Sequence, residues 1–229
     1  ITSPDDAISV PSCGYPISGH QLRIVDEGGR ELPDRRQGRL QFQGPSASSG
    51  YLHNAEATKA LFDGDWLNSG DLGYSVEGEI YITGRVKDLI IRGGRNIHPV
   101  EIEAALSGLE GLRSGGIAVF GSPDPASATE RLIVMAETRR RGDEAHTALE
   151  REINARATDI AGEPPDRVLL VAPRTVPKTS SGKIRRAAAR HMFESGAIDA
   201  GPASLKWQKF RIAVSGHRAM VRRGAHRLG

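Results

Sequence analysis

Three short clusters in this chain combine residue types that could do chemistry. Asp71, preceded by Ser69-Gly70, and Arg85 flank a stretch that reads as one hairpin. A carboxylate accepts hydrogen bonds from vicinal hydroxyls, and a guanidinium donates to hydroxyls or a phosphate in a fixed fork, so together they suit a ribose. The same two residues also suit a plain surface salt bridge. Gly93-Gly94-Arg95 follows a second run of β-formers and reads as a hairpin turn. Lys183 follows Thr179-Ser180-Ser181-Gly182, a turn of small hydroxylated residues that presents a long cation outward. Beside Arg185 and Arg186 it also reads as a solvated lysine at a helix start.

The elements that must position these residues follow from periodicity. Glu79-Ile80-Tyr81-Ile82-Thr83 alternates as a strand does, and Val76-Glu77-Gly78 supplies the turn before it. Gln21–Val25 and Arg39–Gln43 alternate likewise, with Asp26-Glu27-Gly28-Gly29 and Gly44-Pro45 as punctuation, and Glu56–Phe62 fits a brief helix. Residues 1–84 therefore predict a small antiparallel sheet or partial barrel. Beyond them the pattern becomes α/β. Pro99 opens a helix where its missing N–H costs nothing, with Ile102, Ala105, Leu106 and Leu109 on its apolar face. Gly116–Phe120, Arg131–Ala136 and Val168–Val171 predict buried strands, and Glu144–Ile160 and Lys183–Phe193 predict helices. The expected fold class is α+β: an antiparallel β subdomain, then a compact α/β domain of two or three strands under three helices.

Three segments in this order resemble the adenylate-forming acyl-activating enzymes: WLNSGDLGY (66–74), GRVKDLIIRGGRNIHPVEIE (84–103) and VPKTSSGKIRR (176–186). The resemblance covers roughly residues 10–196 and includes acyl-CoA ligases, fatty acyl-AMP ligases, peptide-synthetase adenylation domains and luciferases. The wording KTSSGKIRRAAARHMFESGAI looks most like the fatty acyl-AMP ligase branch, whereas Arg95-Asn96-Ile97-His98-Pro99 is wording shared with acyl-CoA ligases. What the resemblance implies is specific. Asp71 and Arg85 would bind the nucleotide ribose, Lys87 would be the hinge between two domains, and Gly93, Gly94 and Arg95 would form the face that meets the thiol acceptor. Lys183 would be the catalytic lysine, its ammonium bridging the acyl carboxylate and the α-phosphate during adenylation. The domains expected are 1–84, the end of a large N-terminal adenylation domain; 85–88, the hinge; 89–196, the C-terminal α/β domain; and 197–229, a linker and basic tail.

The same resemblance implies ATP and magnesium, with the phosphate loop and the magnesium site upstream of Ile1. Ser46-Ala47-Ser48-Ser49-Gly50 has a phosphate loop's composition but lacks its lysine and following helix, so it reads as a surface turn. The chain is then expected to be a C-terminal fragment, inactive alone, of a ligase that makes an acyl adenylate from a fatty acid. Its acceptor would be carrier-protein pantetheine or CoA. A non-catalytic interaction module is the alternative.

Composition sets outer limits. Lys and Arg number 31 against 28 acidic residues, for a net charge of +3. Seven of those bases and no acid lie beyond Asp199, so the tail is strongly basic and the body mildly acidic. With only Trp207 and Phe210 interleaved, that tail argues against nucleic acid, while contact with an anionic membrane or the opening of a further domain stay open. No run of eighteen or more apolar residues and no basic-then-apolar leader occurs, and Cys13 is the single cysteine, which fits a reducing, cytoplasmic setting. The scattered histidines form no metal-ligand spacing, so no metal site is expected in these residues.

Overall fold

The computed structural model describes residues 9–124 and 129–198. The basic tail, and with it the expectations for residues 199–229, lies outside the described residues. The chain divides into two units, Ile1–Leu89 and Ile90–Gly229.

The first unit is a five-stranded antiparallel sheet built from β1 (Gln21–Val25), β2 (Gly38–Gln43), β3 (Phe62–Asp63), β4 (Trp66–Val76) and β5 (Glu79–Arg85). Its strands run in the order β1-β2-β4-β3, and β5 also pairs with β4. Period-two alternation turns Ile24, Leu40 and Ile80 to one buried face, where Leu22, Leu32 and Ile82 join them. Helix α1 (Ala55–Leu61) starts at Asn54, whose side-chain oxygen accepts from the Ala57 amide at 2.9 Å. It buries no residue, and Phe62 ends it by turning extended into β3.

The β4–β5 loop is two residues long, Glu77 at φ 52° and Gly78 at φ 86°. Two positive φ values make the turn whose twist matches the flanking strands, and glutamate is a strained choice for the first. Asp34 holds it in place: its carboxylate accepts from the Ser75 hydroxyl at 2.7 Å and from the Glu77 amide at 2.8 Å. Those bonds, helped by the Arg35 charge, keep the Asp34 carboxyl below the usual aspartate range.

The second unit opens with a hairpin, β6 (Ile90–Arg92) and β7 (Arg95–Ile97), followed by α2 (Pro99–Ser107). Then come β8 (Leu112–Pro123), β9 (Glu130–Thr138), α3 (Asp143–Ala161), β10 (Arg167–Val171) and α4 (Arg186–Glu194). The three long strands form one sheet in the order β10-β9-β8. Strands β8 and β9 are antiparallel, but β10 runs parallel to β9 because α3 carries the chain back across the sheet between them.

Both faces of this sheet are covered, so its strands read in the sequence as near-continuous apolar runs. Leu132, Val134 and Ala136 of β9 pack with Ile102 and Leu106 of α2 and Leu149, Ile153 and Ala157 of α3. The intervening Ile133 and Met135 pack on the other face with Ala189 of α4 and, at its margin, Met192 and Phe193. One expectation is corrected here. The helix predicted from Lys183 begins at Arg186, because the backbone of 178–184 is used by a tight hairpin instead.

Candidate functional site

Asp71 and Arg85 face each other as the outermost pair of the β4–β5 ladder. What aims Asp71 is a bulge. Against β2, Asn68 pairs with Gln41 and Leu72 with Arg39, so Ser69, Gly70 and Asp71 all stand opposite the single Leu40. Gly70 takes φ 78° to allow this, and the Ser69 hydroxyl pins the bulge by donating to the Leu40 carbonyl at 2.9 Å and accepting from the Asp71 amide at 3.0 Å. Beneath it Gln41, fully buried, donates to Asn68 Oδ1 at 2.8 Å and to Asp63 Oδ2 at 2.9 Å, and accepts from Arg23 Nε at 2.8 Å.

Arg85 Nε donates to Asp71 Oδ1 at 3.1 Å, with the two side chains 51% and 31% exposed. Among the described residues neither side chain makes another hydrogen bond. An ion pair this exposed contributes about 0–1 kcal/mol. Two residues on, Lys87 is exposed in a single 3₁₀ turn, Val86–Asp88, closed by the Leu89 amide on the Val86 carbonyl at 3.3 Å.

Gly93 and Gly94 form the two-residue loop of the β6–β7 hairpin with φ 56° and 75°. Among the described residues a Cβ at either would meet nothing within 4 Å, so it is the backbone twist that calls for glycine here. The Thr129 hydroxyl anchors the turn, accepting from the Gly93 amide and donating to the Ile91 carbonyl, both at 3.0 Å. Arg95 extends over the C-terminus of α3, where Gly162 at φ 79° lies so close beneath its guanidinium that a Cβ would collide with it. A cation there also meets the negative end of the helix dipole.

Lys183 occupies the returning arm of a hairpin. The Thr179 amide donates to the Lys183 carbonyl at 2.9 Å, the Lys183 amide donates to the Thr179 hydroxyl at 3.0 Å, and the Gly182 amide donates to the Thr179 carbonyl at 3.0 Å. With Gly182 at φ 86° the turn cannot run on as helix. The lysine backbone is therefore tied down on both sides while its side chain is exposed.

The structure thus brings Asp71 and Arg85 together, sets Gly93, Gly94 and Arg95 in one turn, and places Lys183 at its own hairpin. Sequence reasoning missed the carboxylates that support that hairpin. Glu103 binds Arg186 through two bonds, Nε to Oε1 at 2.9 Å and Nη2 to Oε2 at 2.6 Å. Glu137, with no exposed surface, accepts from Arg113 Nη1 at 2.7 Å and from the Val176 amide at 2.9 Å. A lone acid closing the apolar run Leu132–Ala136 was the available signal for Glu137, and for Glu103 it was its place at the end of the 84–103 segment.

Among the described residues no group of three or more His, Cys, Asp or Glu comes together, and no helix is long and apolar enough to cross a membrane.

No family model matches the chain. A 2-succinylbenzoate–CoA ligase of Listeria monocytogenes is 37% identical over 187 residues, covering 80% of this chain and 36% of its own length. Among solved structures, McyG A-PCP complexed with phenylalanyl-adenylate superposes with a TM-score of 0.70 at 37% identity, covering 82% of this chain and 34% of that one. Fatty acyl-adenylate ligases from E. coli and L. pneumophila superpose with a TM-score of 0.68 at 33% identity, covering 81% of this chain and 32% of theirs. The chain spans about a third of the length of the relatives it matches.

Proposed function

Over the residues it shares with these relatives the chain belongs to the adenylate-forming acyl-activating superfamily, and from that premise we propose that it is the C-terminal part of an ATP-dependent ligase. The ligase forms an acyl adenylate from a fatty acid. In that reaction a carboxylate oxygen bonds to the α-phosphorus of ATP while the bond to the β-phosphate oxygen breaks, and pyrophosphate leaves. Two anions must be brought together for this to happen. The Lys183 ammonium, exposed on a backbone that its hairpin fixes, supplies the positive charge that lowers their repulsion. That exposed cation on a braced hairpin is the observation that carries the reading.

The remaining roles follow the same reading. The free Asp71 Oδ2 accepts from ribose hydroxyls and the Arg85 terminal nitrogens donate to them or to phosphate. Lys87, in its isolated turn, is the hinge. In a second arrangement the turn Gly93-Gly94, with no side chains of its own, takes a pantetheine arm, whose thiol attacks the acyl carbonyl and releases AMP. Support for a carrier-bound acceptor comes from the likeness to McyG A-PCP and to the fatty acyl-adenylate ligases; support for CoA comes from the 2-succinylbenzoate–CoA ligase. A cytoplasmic setting rests on the single cysteine.

The test is pyrophosphate exchange. The full-length protein containing this chain, given ATP, magnesium and a fatty acid, is expected to exchange pyrophosphate only when the acid is present, and the isolated chain is expected not to. Exchange by neither would return the chain to the class of interaction modules.

A further inference from the structure

The hairpin that carries Lys183 is held at both of its ends by carboxylates from distant parts of the chain. At its start the Val176 amide donates to Glu137 Oε1 at 2.9 Å, and the other oxygen of that buried carboxylate takes Arg113 at 2.7 Å. At its end Arg186 grips Glu103, and Glu103 Oε1 also accepts from the Val119 amide at 2.9 Å, in the middle of β8. Each carboxylate therefore binds one guanidinium and one backbone N–H. Glu137 joins β9, β8 and the incoming arm; Glu103 joins α2, β8 and the first residue of α4.

Between the clamps the hairpin has the Lys178–Ile184 bridge, the bond from the Arg185 amide to the Pro177 carbonyl at 2.9 Å and the Thr179 bonds that close its turn; Val176 and Ile184 root its two arms in the core, and residues Thr179–Lys183 are exposed. The exposed tip between these roots is not held by packing, and charge-assisted bonds that are mostly out of water are strong and directional, so the carboxylates bear on where it points. The Arg186–Glu103 side chains are 17% and 14% exposed, so this end is shielded as well.

We propose that Glu103 and Glu137 are positioning residues for Lys183, setting the direction in which its hairpin delivers the ammonium. This rests on the adenylation role proposed for Lys183. Neither carboxylate touches substrate in this proposal; each acts by fixing the backbone on one side of the lysine. The consequence is selective. A misdirected lysine slows adenylate formation and leaves acyl transfer, which does not use it, unchanged.

In the full-length protein, Glu103→Gln and Glu137→Gln are each expected to slow acid-dependent pyrophosphate exchange by about a hundredfold, the scale of a misplacement near 1 Å. Acyl transfer from supplied adenylate should stay within about threefold. Arg186→Gln should match Glu103→Gln, and the double variant should lose no more than either, since all three break one contact. Equal losses in both half-reactions would mean general unfolding and overturn the proposal. Lys183→Ala separates the two levels: if it abolishes exchange while the glutamate variants exchange at the unmutated rate, the clamps are overturned and the functional reading stands. If Lys183→Ala leaves exchange intact, the functional reading is overturned and the positioning role falls with it. Hydrogen exchange on the isolated chain reads the clamps without any activity. The Thr179 and Arg185 amides should exchange about tenfold faster in either glutamate variant, and unchanged rates overturn the proposal. Should Glu137→Gln fail to fold, Arg113→Lys loosens the same clamp from its half-exposed side and should give the same two signatures.

Discussion

The Asp71–Arg85 pair and the lysine hairpin present charge in opposite ways. Asp71 and Arg85 stand on adjacent strands, and the β-ladder with its Ser69-Gly70 bulge sets where they point. Their own mutual bond is exposed and weak. Lys183 stands on a hairpin with one bridge of its own, and carboxylate–guanidinium contacts built on the buried Glu137 and the largely buried Glu103 brace it on either side. A sheet positions a side chain through backbone hydrogen bonds, which tolerate most substitutions. A short hairpin has too few of these and depends on named side chains instead. The Asp71–Arg85 pair should therefore be sensitive at its own two residues and at the Ser69-Gly70 bulge beside them, and the lysine also at side chains far from it in the chain.

The sharpest test of this contrast is Lys183→Ala in the full-length protein. It should slow adenylate formation by about a thousandfold, the upper range for removing one charge-stabilising contact, and spare acyl transfer from supplied adenylate. Rapid measurement of the two half-reactions separately would show it. Equal slowing of both would break the division of labour between the lysine hairpin and the glycine turn.

On the other side of the comparison, Asp71→Ala should lower kcat/KM for ATP by about tenfold to a hundredfold, as for loss of hydrogen bonds to a charged acceptor. ATP lacking both ribose hydroxyls should be a similarly poor substrate for the unmutated protein. The two defects should not add, because they remove the same bonds. Additive losses would leave Asp71 as a partner for Arg85 and nothing more.

A smaller effect is expected at the glycine turn. Gly94→Ala forces an alanine to φ 75° and should destabilise the second unit by about 1–2 kcal/mol in denaturant titration. Since a Cβ there meets none of the described residues, an unbranched residue larger than alanine should add little further loss of stability, but it should progressively slow acyl transfer. Stability that falls with side-chain size would mean that the space is filled.

The smallest effect concerns Asp34, which supports the β4–β5 turn below the Asp71–Arg85 pair. Its carboxyl is held below the usual aspartate range in the folded state, so its contribution is present above the unfolded value and fades as pH falls through the folded one. Asp34→Asn should lower the thermal midpoint at neutral pH, and the gap from the unmutated protein should close between about pH 5 and pH 2. A gap that persists at the acid end would point to the amide's geometry instead of its missing charge.

Much of this architecture was legible in the residues themselves. Strand β1 matches the predicted Gln21–Val25, α3 extends the predicted Glu144–Ile160 by one residue at each end, and the β4–β5 hairpin with Asp71 opposite Arg85 was expected from Val76-Glu77-Gly78. These are local matters: a period of two or of 3.6 and the turn residues that interrupt it are written within a dozen neighbours. Tertiary structure decided the rest. Lys183 lies outside the helix its alanine-rich sequel suggested, because Thr179 takes both its amide and its carbonyl. The Ser69-Gly70 bulge exists only against Leu40, and Glu103 meets Arg186 across 83 positions of chain. Such contacts carry no period, since a carboxylate is equally at home in water until folding removes the water and leaves a guanidinium and an amide as its partners.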